Sequence, residues 1–154
     1  MSELEISLPS DNELRMVRMF AAPPDVVYAA HTVPALLKRW YGQLVSAEID
    51  LTVGGRWRLV SRRPDGREIA QFGVYREIEP NARLVQTENW SDWNPGELTV
   101  STIFAPIGGA TRLEVSMQFP SQRVRDLLVK AGMNDEAAEQ YRRLDTVIAD
   151  YQMR

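Results

Sequence analysis

Glu88 is the carboxylate whose setting could support chemistry. It lies in a strand-like run, residues 83–90, where a period of two puts Leu84, Gln86, Glu88 and Trp90 on one face. A carboxyl group among apolar neighbours is pushed up in pKa by burial unless a cation pairs with it. The first outcome makes a proton donor and the second an anchor for a polar ligand group. Arg56, Arg58 and Arg76 stand on neighbouring candidate strands, and a lone buried acid is costly, so the sequence predicts an ionised Glu88 paired with arginine. The plain structural reading is an ion pair near an open end of the sheet.

His31 is the only histidine and ends a short helical pattern. As a general base it needs an orienting carboxylate, and none is identifiable nearby in the sequence. The helix dipole already gives a histidine at that position a reason to exist. Tyr75 and Tyr141 can each aim a hydroxyl into an interior, and both also fit as amphipathic core residues. Four tryptophans, Trp40, Trp57, Trp90 and Trp93, could wall a site for a planar or lipid-like molecule. Core packing is the ordinary role of Trp40 and Trp57. Trp93 sits in a turn-rich loop, residues 91–97, where a rim position is expected. Met117, on an apolar strand face, completes the candidate lining.

Other chemistries lack their residues. The absence of cysteine removes thiol catalysis, disulfide scaffolds and cysteine-based metal or iron–sulfur sites. One histidine cannot supply a site that needs two imidazoles, and the acids lack calcium-loop spacing, so no metal or other cofactor is expected. The pairs Gly54-Gly55 and Gly108-Gly109 have no following helix and no phosphate-loop lysine; they read as turns. A net charge of −3 gives no electrostatic reason to expect nucleic acid as a partner. No run approaches a membrane-spanning length, so no membrane insertion is expected. Residues 1–13 carry four acids and no base, the reverse of a secretory signal, which predicts a cytoplasmic protein.

The elements that must hold these residues follow from periodicity. Residues 1–13 read as a loose lead-in and residues 14–154 as a single domain, in keeping with a length of 154 residues. A strand is expected over 14–20. Pro23, Pro24 and Asp25 open a short helix to about His31, and Pro34 opens a second that Gly42 stops. Strands then follow at 46–51, 56–61, 68–78, 83–90, 98–105 and 111–119, with Asp65-Gly66 marking a hairpin. Ala137, Tyr141, Leu144, Ile148 and Tyr151 recur at helical spacing, predicting an amphipathic helix near 135–152. Its apolar stripe should cover the sheet face that carries Leu113, Val115 and Met117. The class is α+β, a curved antiparallel sheet around a long C-terminal helix, with two short helices after the first strand.

The order of several short motifs resembles a known family. Arg18, Phe20, Ala22, Pro24 and Val27 are followed by Pro34, Leu37, Trp40, Tyr41 and Gly42. Then come Asp50-Leu51, Val53-Gly54-Gly55-Arg56-Trp57 and Asp65-Gly66. Gly73, Tyr75, Glu77-Ile78, Pro80, Arg83-Leu84-Val85 and Thr87 follow, and later Gly109 to Leu113 and Gly132-Met133 through Tyr141 to Asp145. Together, over about residues 14–152, they resemble proteins similar to the activator of Hsp90 ATPase. Each motif is weak alone and the series is fairly specific. The resemblance implies a helix-grip fold of the START-like (SRPBCC, Bet v 1-like) superfamily, which includes lipid carriers, allergen proteins and polyketide cyclases. The sequence departs from the family pattern where Val33 replaces an aspartate before Pro34. It departs again where Tyr41 and Gln43 replace tryptophan and proline. The first departure weakens a helix cap and the others reshape a cavity rim.

Such a fold shares a cavity and no particular reaction. The leading reading is therefore binding or carriage of a small hydrophobic or aromatic molecule between sheet and helix, with no catalytic residue assigned. Trp40, Trp57, Tyr75, Glu88, Trp90, Trp93, Met117 and Tyr141 are the candidate lining. An enzyme of cyclase, dehydratase or hydrolase type acting in the same cavity is the alternative, and a chaperone-linked protein ranks third. The sequence leaves a homodimer open.

Overall fold

Alternation of inward and outward side chains builds most of this chain. A computed structural model describes residues 3–153; residues 1, 2 and 154, at the ends of the expected lead-in and domain, lie outside the described residues. Strand β1 (Glu5–Ser7) pairs antiparallel with β2 (Glu13–Phe20). In β2 every second residue, Leu14, Met16, Arg18 and Phe20, is buried. Helices α1 (Pro24–Thr32) and α2 (Pro34–Leu37) then carry the chain to the far edge of the sheet. From there β3 (Leu44–Ile49), β4 (Arg56–Arg62), β5 (Glu68–Glu79), β6 (Arg83–Trp90), β7 (Leu98–Ile107) and β8 (Ala110–Gln118) return as a meander. The order is β1-β2-β8-β7-β6-β5-β4-β3, so the last strand closes beside β2. Helix α3 (Gln122–Lys130) leads into α4 (Met133–Gln152), whose buried side chains join the core of the sheet. The helix-grip architecture holds.

Local chemistry explains the joints. Ile107 pairs with Ala110 across Gly108 and Gly109, whose φ angles are 51° and 86°. A two-residue hairpin of this hand requires positive φ at both central positions, which glycine adopts without a Cβ penalty. Pro24 lies in the first turn of α1. Val33 precedes α2 and supplies no side-chain cap, as the departure from the family pattern implied. Regular helix in α2 ends at Leu37, although Trp40 and Tyr41 still donate backbone hydrogen bonds to Leu37 at 3.2 and 3.1 Å.

Several expectations need correction. The lead-in is not loose throughout, because Glu5–Ser7 adds an edge strand in register with Val17, Met16 and Arg15. Strand β3 begins two residues earlier than expected. The sequence reading has no helix at 122–130, yet α3 forms there behind Ser121, whose hydroxyl accepts from the Val124 N–H at 3.2 Å. Its apolar residues obscure the period: Val124 is buried and Leu128 half-buried, while Leu127 beside them faces water. Tyr151 falls outside the buried stripe of α4 and is exposed.

The inner face carries Leu98, Val100, Thr102 and Phe104 of β7 beside Leu113, Val115 and Met117 of β8, all buried. Tyr141, Leu144, Val147 and Ile148 of α4 join the same core. One charged pair crosses it. Arg18, inward on β2, donates from both terminal nitrogens to the two carboxylate oxygens of Asp145, each at 2.7 Å. Charge-assisted bidentate pairs of this kind fix geometry as well as adding energy.

Leu144 is fully buried. Leu144→Ala is expected to cost about 2–5 kcal/mol, the range for core leucines. Urea denaturation checks this, and wild-type stability would show that α4 is not seated on the sheet as described.

Candidate functional site

The sheet's period of two sets which side chains meet beneath α4. Trp57 and Leu59 of β4 point inward. So do Ile69, Gln71 and Tyr75 of β5 and Leu84, Gln86, Glu88 and Trp90 of β6. With α4 they enclose a cavity of about 800 Å³, inside the range of roughly 300–1,000 Å³ typical of small-molecule sites. The helix covers it unevenly. Met133, Ala137, Gln140 and Tyr141 line the cavity, whereas Leu144, Val147 and Ile148 are seated in the core beyond it.

Of the candidate residues, Trp40, Trp57 and Tyr75 line this space, as do Glu88, Trp90, Met117 and Tyr141. Trp93 does not. It stacks on Trp90 with ring centroids 5.9 Å apart and remains 37% exposed, so it backs the cavity wall from the solvent side.

The aromatic residues present ring surface because the polar tips of the two deepest indoles are occupied. Trp40 Nε1 donates to the Ala30 carbonyl at 3.0 Å, and Trp57 Nε1 donates to the Thr87 carbonyl at 3.1 Å. The Trp40 ring stacks on Tyr141 at 6.0 Å. Gly73 pairs opposite Trp57, and any Cβ there would lie 1.9 Å from the Thr87 carbonyl oxygen. This close approach excludes every residue but glycine. The Thr87 hydroxyl accepts from the Val74 N–H at 3.0 Å. Burial pushes the Tyr75 hydroxyl up in pKa and raises Tyr141 to about 12, with Arg18 opposing the rise at Tyr141.

Glu88 is buried and aimed into the cavity, but its environment differs from the expectation. No Lys or Arg nitrogen pairs with it among the described residues; its partner is Gln71, whose Nε2 donates to Oε2 at 3.4 Å. Burial raises its pKa to about 7, with the Gln71 hydrogen bond pulling the other way. The arginine-paired state is therefore corrected, and desolvation dominates. The reason is the same alternation that placed Glu88 inside: Arg56 and Arg58 flank the inward Trp57, Arg76 follows the inward Tyr75, and all three face water.

Gln71 Nε2 also donates to the Tyr41 hydroxyl oxygen at 3.3 Å, joining Tyr41, Gln71 and Glu88 into one hydrogen-bonded strip on the cavity wall. Burial and the nearby Glu88 both push the Tyr41 hydroxyl up in pKa. Sequence reasoning marked Tyr41 and Gln43 only as departures at a rim, and both do line the cavity. It missed Gln71, although period two from Tyr75 puts that residue on the inner face. Helix α4 secures the strip: Gln140 Nε2 donates to the Tyr41 carbonyl at 3.3 Å, and Arg143 Nε to the Trp40 carbonyl at 3.1 Å. Both carbonyls lie just past the end of α2, where backbone acceptors need outside partners.

His31 also borders the cavity. Its Nδ1 lies 2.8 Å from the Val27 carbonyl oxygen; a carbonyl only accepts, so Nδ1 carries the proton and Nε2 is left as an acceptor. Edge contacts to Trp40 at 4.9 Å and Phe104 at 5.2 Å enclose the ring. Burial lowers its pKa to about 4, so the imidazole is neutral at pH 7 and the helix-dipole explanation does not apply. Among the described residues no group of three His, Asp or Glu side chains could hold a metal ion. No described helix is long and apolar enough to cross a membrane.

A family model described as Activator of Hsp90 ATPase homolog 1-like protein matches residues 21–149. A solved protein from Rhodobacter sphaeroides is 31% identical; the match covers 96% of this chain and 99% of that one, with a TM-score of 0.89. A protein from Nitrosomonas europaea is 21% identical, covering 96% of this chain and 100% of that one at a TM-score of 0.86. CalU16 from Micromonospora echinospora is 22% identical, covering 99% and 88% at a TM-score of 0.67. The last two show the shared fold alone. No curated protein matches the chain.

The raised pKa of Glu88 links stability to pH. Between its ordinary value of 4.5 and about 7, the folded chain holds a proton that the unfolded chain releases. Its stabilising contribution is complete below pH 4.5 and is lost as pH rises through 7. Relative to Glu88→Gln, the wild type should lose about 3 kcal/mol of stability between pH 4 and 8. Urea denaturation of both proteins across that range measures it. A constant difference would mean that the carboxylate is solvated.

Proposed function

The chain belongs to the Activator of Hsp90 ATPase homolog 1-like family, and on that premise we propose that it binds or carries a small hydrophobic or aromatic molecule in the cavity beneath α4. The fold of this family commonly binds hydrophobic ligands. One observation carries the reading: a cavity of about 800 Å³ is walled by indole and phenol rings whose deepest polar tips are already satisfied by backbone carbonyls. Such walls gain little from water and favour apolar surface, the usual basis of small-molecule recognition.

A second reading has a specific observation behind it. Glu88, with a pKa near 7 in an enclosed aromatic space, has the setting that general acids and bases require. An enzyme of cyclase, dehydratase or hydrolase type would use it to move a proton on a bound substrate. Among the described residues no second group stands in an acid–base pair with it: Gln71 cannot titrate, and burial pushes Tyr41 away from neutral pH. Binding is therefore placed ahead of catalysis. A chaperone-linked role has only the family's description in its favour.

The test is binding of a lipophilic fluorescent probe such as a dansyl or naphthalene derivative, followed by tryptophan energy transfer and titration. Trp90→Ala removes a cavity wall and is expected to weaken the probe roughly ten-fold, about 1.4 kcal/mol. Trp93→Ala, which removes only the outer stacking partner, should weaken it less. No saturable binding to the wild type would overturn the reading. Equal and negligible effects of both substitutions would remove Trp90 from the site.

A further inference from the structure

Among the described residues, the inner wall of the cavity carries one carboxyl group without a charged partner, that of Glu88. The other ionisable residues bordering the space with formal charge at neutral pH lie at its mouth, where they are exposed or half-exposed. Three of those mouth arginines are paired: Arg39 with Asp150 at 2.9 Å, Arg62 with Glu68 at 2.9 Å and Arg143 with Glu139 at 3.3 Å. Glu88 is only 9% exposed and has a single hydrogen bond, at 3.4 Å, to an amide that it shares with the Tyr41 hydroxyl. A carboxylate offers about four acceptor positions. Its second oxygen, Oε1, has no hydrogen-bond partner among the described residues yet is not sealed off, and the side chain borders the cavity.

We propose that the ligand of this cavity is an apolar amine, whose ammonium group is held by Glu88 while its hydrocarbon or aromatic body lies against Trp90, Trp40 and Trp57. This deepens the binding reading above and rests on it. Three features converge on a cation. Among the described residues the inner wall carries the Glu88 carboxyl and no cationic group, since the bordering His31 is neutral at pH 7, so an anionic ligand finds no opposite charge there. A neutral ligand leaves the carboxyl group with its desolvation cost uncompensated. An ammonium supplies the missing partner, converting a lone buried acid into a hydrogen-bonded ion pair. The walls suit the same guest, since the faces of tryptophan and tyrosine attract cations, and enclosed aromatic sites recognise ammonium groups by this means. Trp90 stands two residues beyond Glu88 on the same face of β6, one step along the pleat. Gln71 holds the carboxylate orientation by donating to Oε2, which leaves Oε1 toward the guest.

A matched pair of probes tests this without relying on any variant. 2-(1-Naphthyl)ethylamine and 2-(1-naphthyl)ethanol share the same apolar body and differ in the charged nitrogen. Calorimetric or fluorescence titration of the wild-type protein at pH 7 should show the amine binding roughly ten-fold or more tightly than the alcohol. Glu88→Gln keeps the shape and removes the charge; it should abolish the preference, so that amine and alcohol bind the variant about equally. Circular dichroism confirms that the variant is folded. Equal binding of the two probes to the wild type, or tighter binding of the alcohol, overturns the amine proposal while the cavity reading stands. An amine preference that survives in folded Glu88→Gln also overturns it, pointing to acids at the mouth such as Glu136. Binding of neither probe removes both readings together.

Discussion

The fork between Arg18 and Asp145 is the constraint on which the rest of the molecule depends. A helix laid across a curved sheet can slide along it or roll over it, because apolar contact alone is nearly indifferent to register. Two parallel hydrogen bonds of 2.7 Å between an inward strand residue and a helix carboxylate remove that freedom. Both partners lie largely out of water, so breaking the pair would strand a charge in the core, which is far costlier than losing a surface ion pair. The fork anchors the C-terminal half of α4, and the neighbouring Leu144, Val147 and Ile148 pack around that anchor. The N-terminal half carries Met133, Ala137, Gln140 and Tyr141, which line the cavity. The cavity is a product of where the helix is fastened.

That geometry also explains the unusual electrostatics of the interior. Burial acts on Glu88 and His31 in opposite senses on the pKa scale and to the same end, the neutral form. The tyrosines shift the same way. At pH 7 the unliganded wall therefore holds little fixed charge, and Glu88 is the group closest to its midpoint. The indole N–H groups are tied to Ala30 and Thr87, so the rings themselves face the space. A surface of this kind fits the apolar body of a guest by shape, and the strip of Tyr41, Gln71 and Glu88 orients its polar end.

Much of this was legible in the residues. A period of two along 83–90 placed Glu88 and Trp90 on one face of β6, and the glycine and proline punctuation located most turns. The helical spacing of Ala137, Tyr141, Leu144 and Ile148 announced the helix that covers the sheet. What resisted reading was pairing over distance. Arg18 and Asp145 were each visible as motif letters, but nothing local says that they meet. The arginine expected beside Glu88 failed for a reason the sequence did contain, because Arg56 and Arg58 alternate with the inward Trp57. Abundance of arginine outweighed register in that inference. Helix α3 was hidden by Leu127, Leu128 and Val129, a continuous apolar run with no period, of which Leu127 lies in solvent. The edge strand at Glu5–Ser7 has exposed side chains throughout and is specified by backbone pairing alone.

The closure of the sheet has a kinetic consequence. Strands β3 to β8 join neighbours through short connections, so each hairpin can form from residues close in sequence. The pairing of β2 with β8 is different, since Glu13 meets Gln118 and Phe20 meets Thr111, partners near opposite ends of the chain. Loop-closure entropy must be met before those contacts return any energy, and chains dominated by such distant contacts fold slowly. The Arg18–Asp145 fork spans a longer separation still, 127 residues, and cannot help until the ends have met. Search time for this protein is thus governed by its two termini finding each other. Substitutions confined to the β3–β7 hairpins, which are already formed when the ends meet, should act chiefly on the rate of folding.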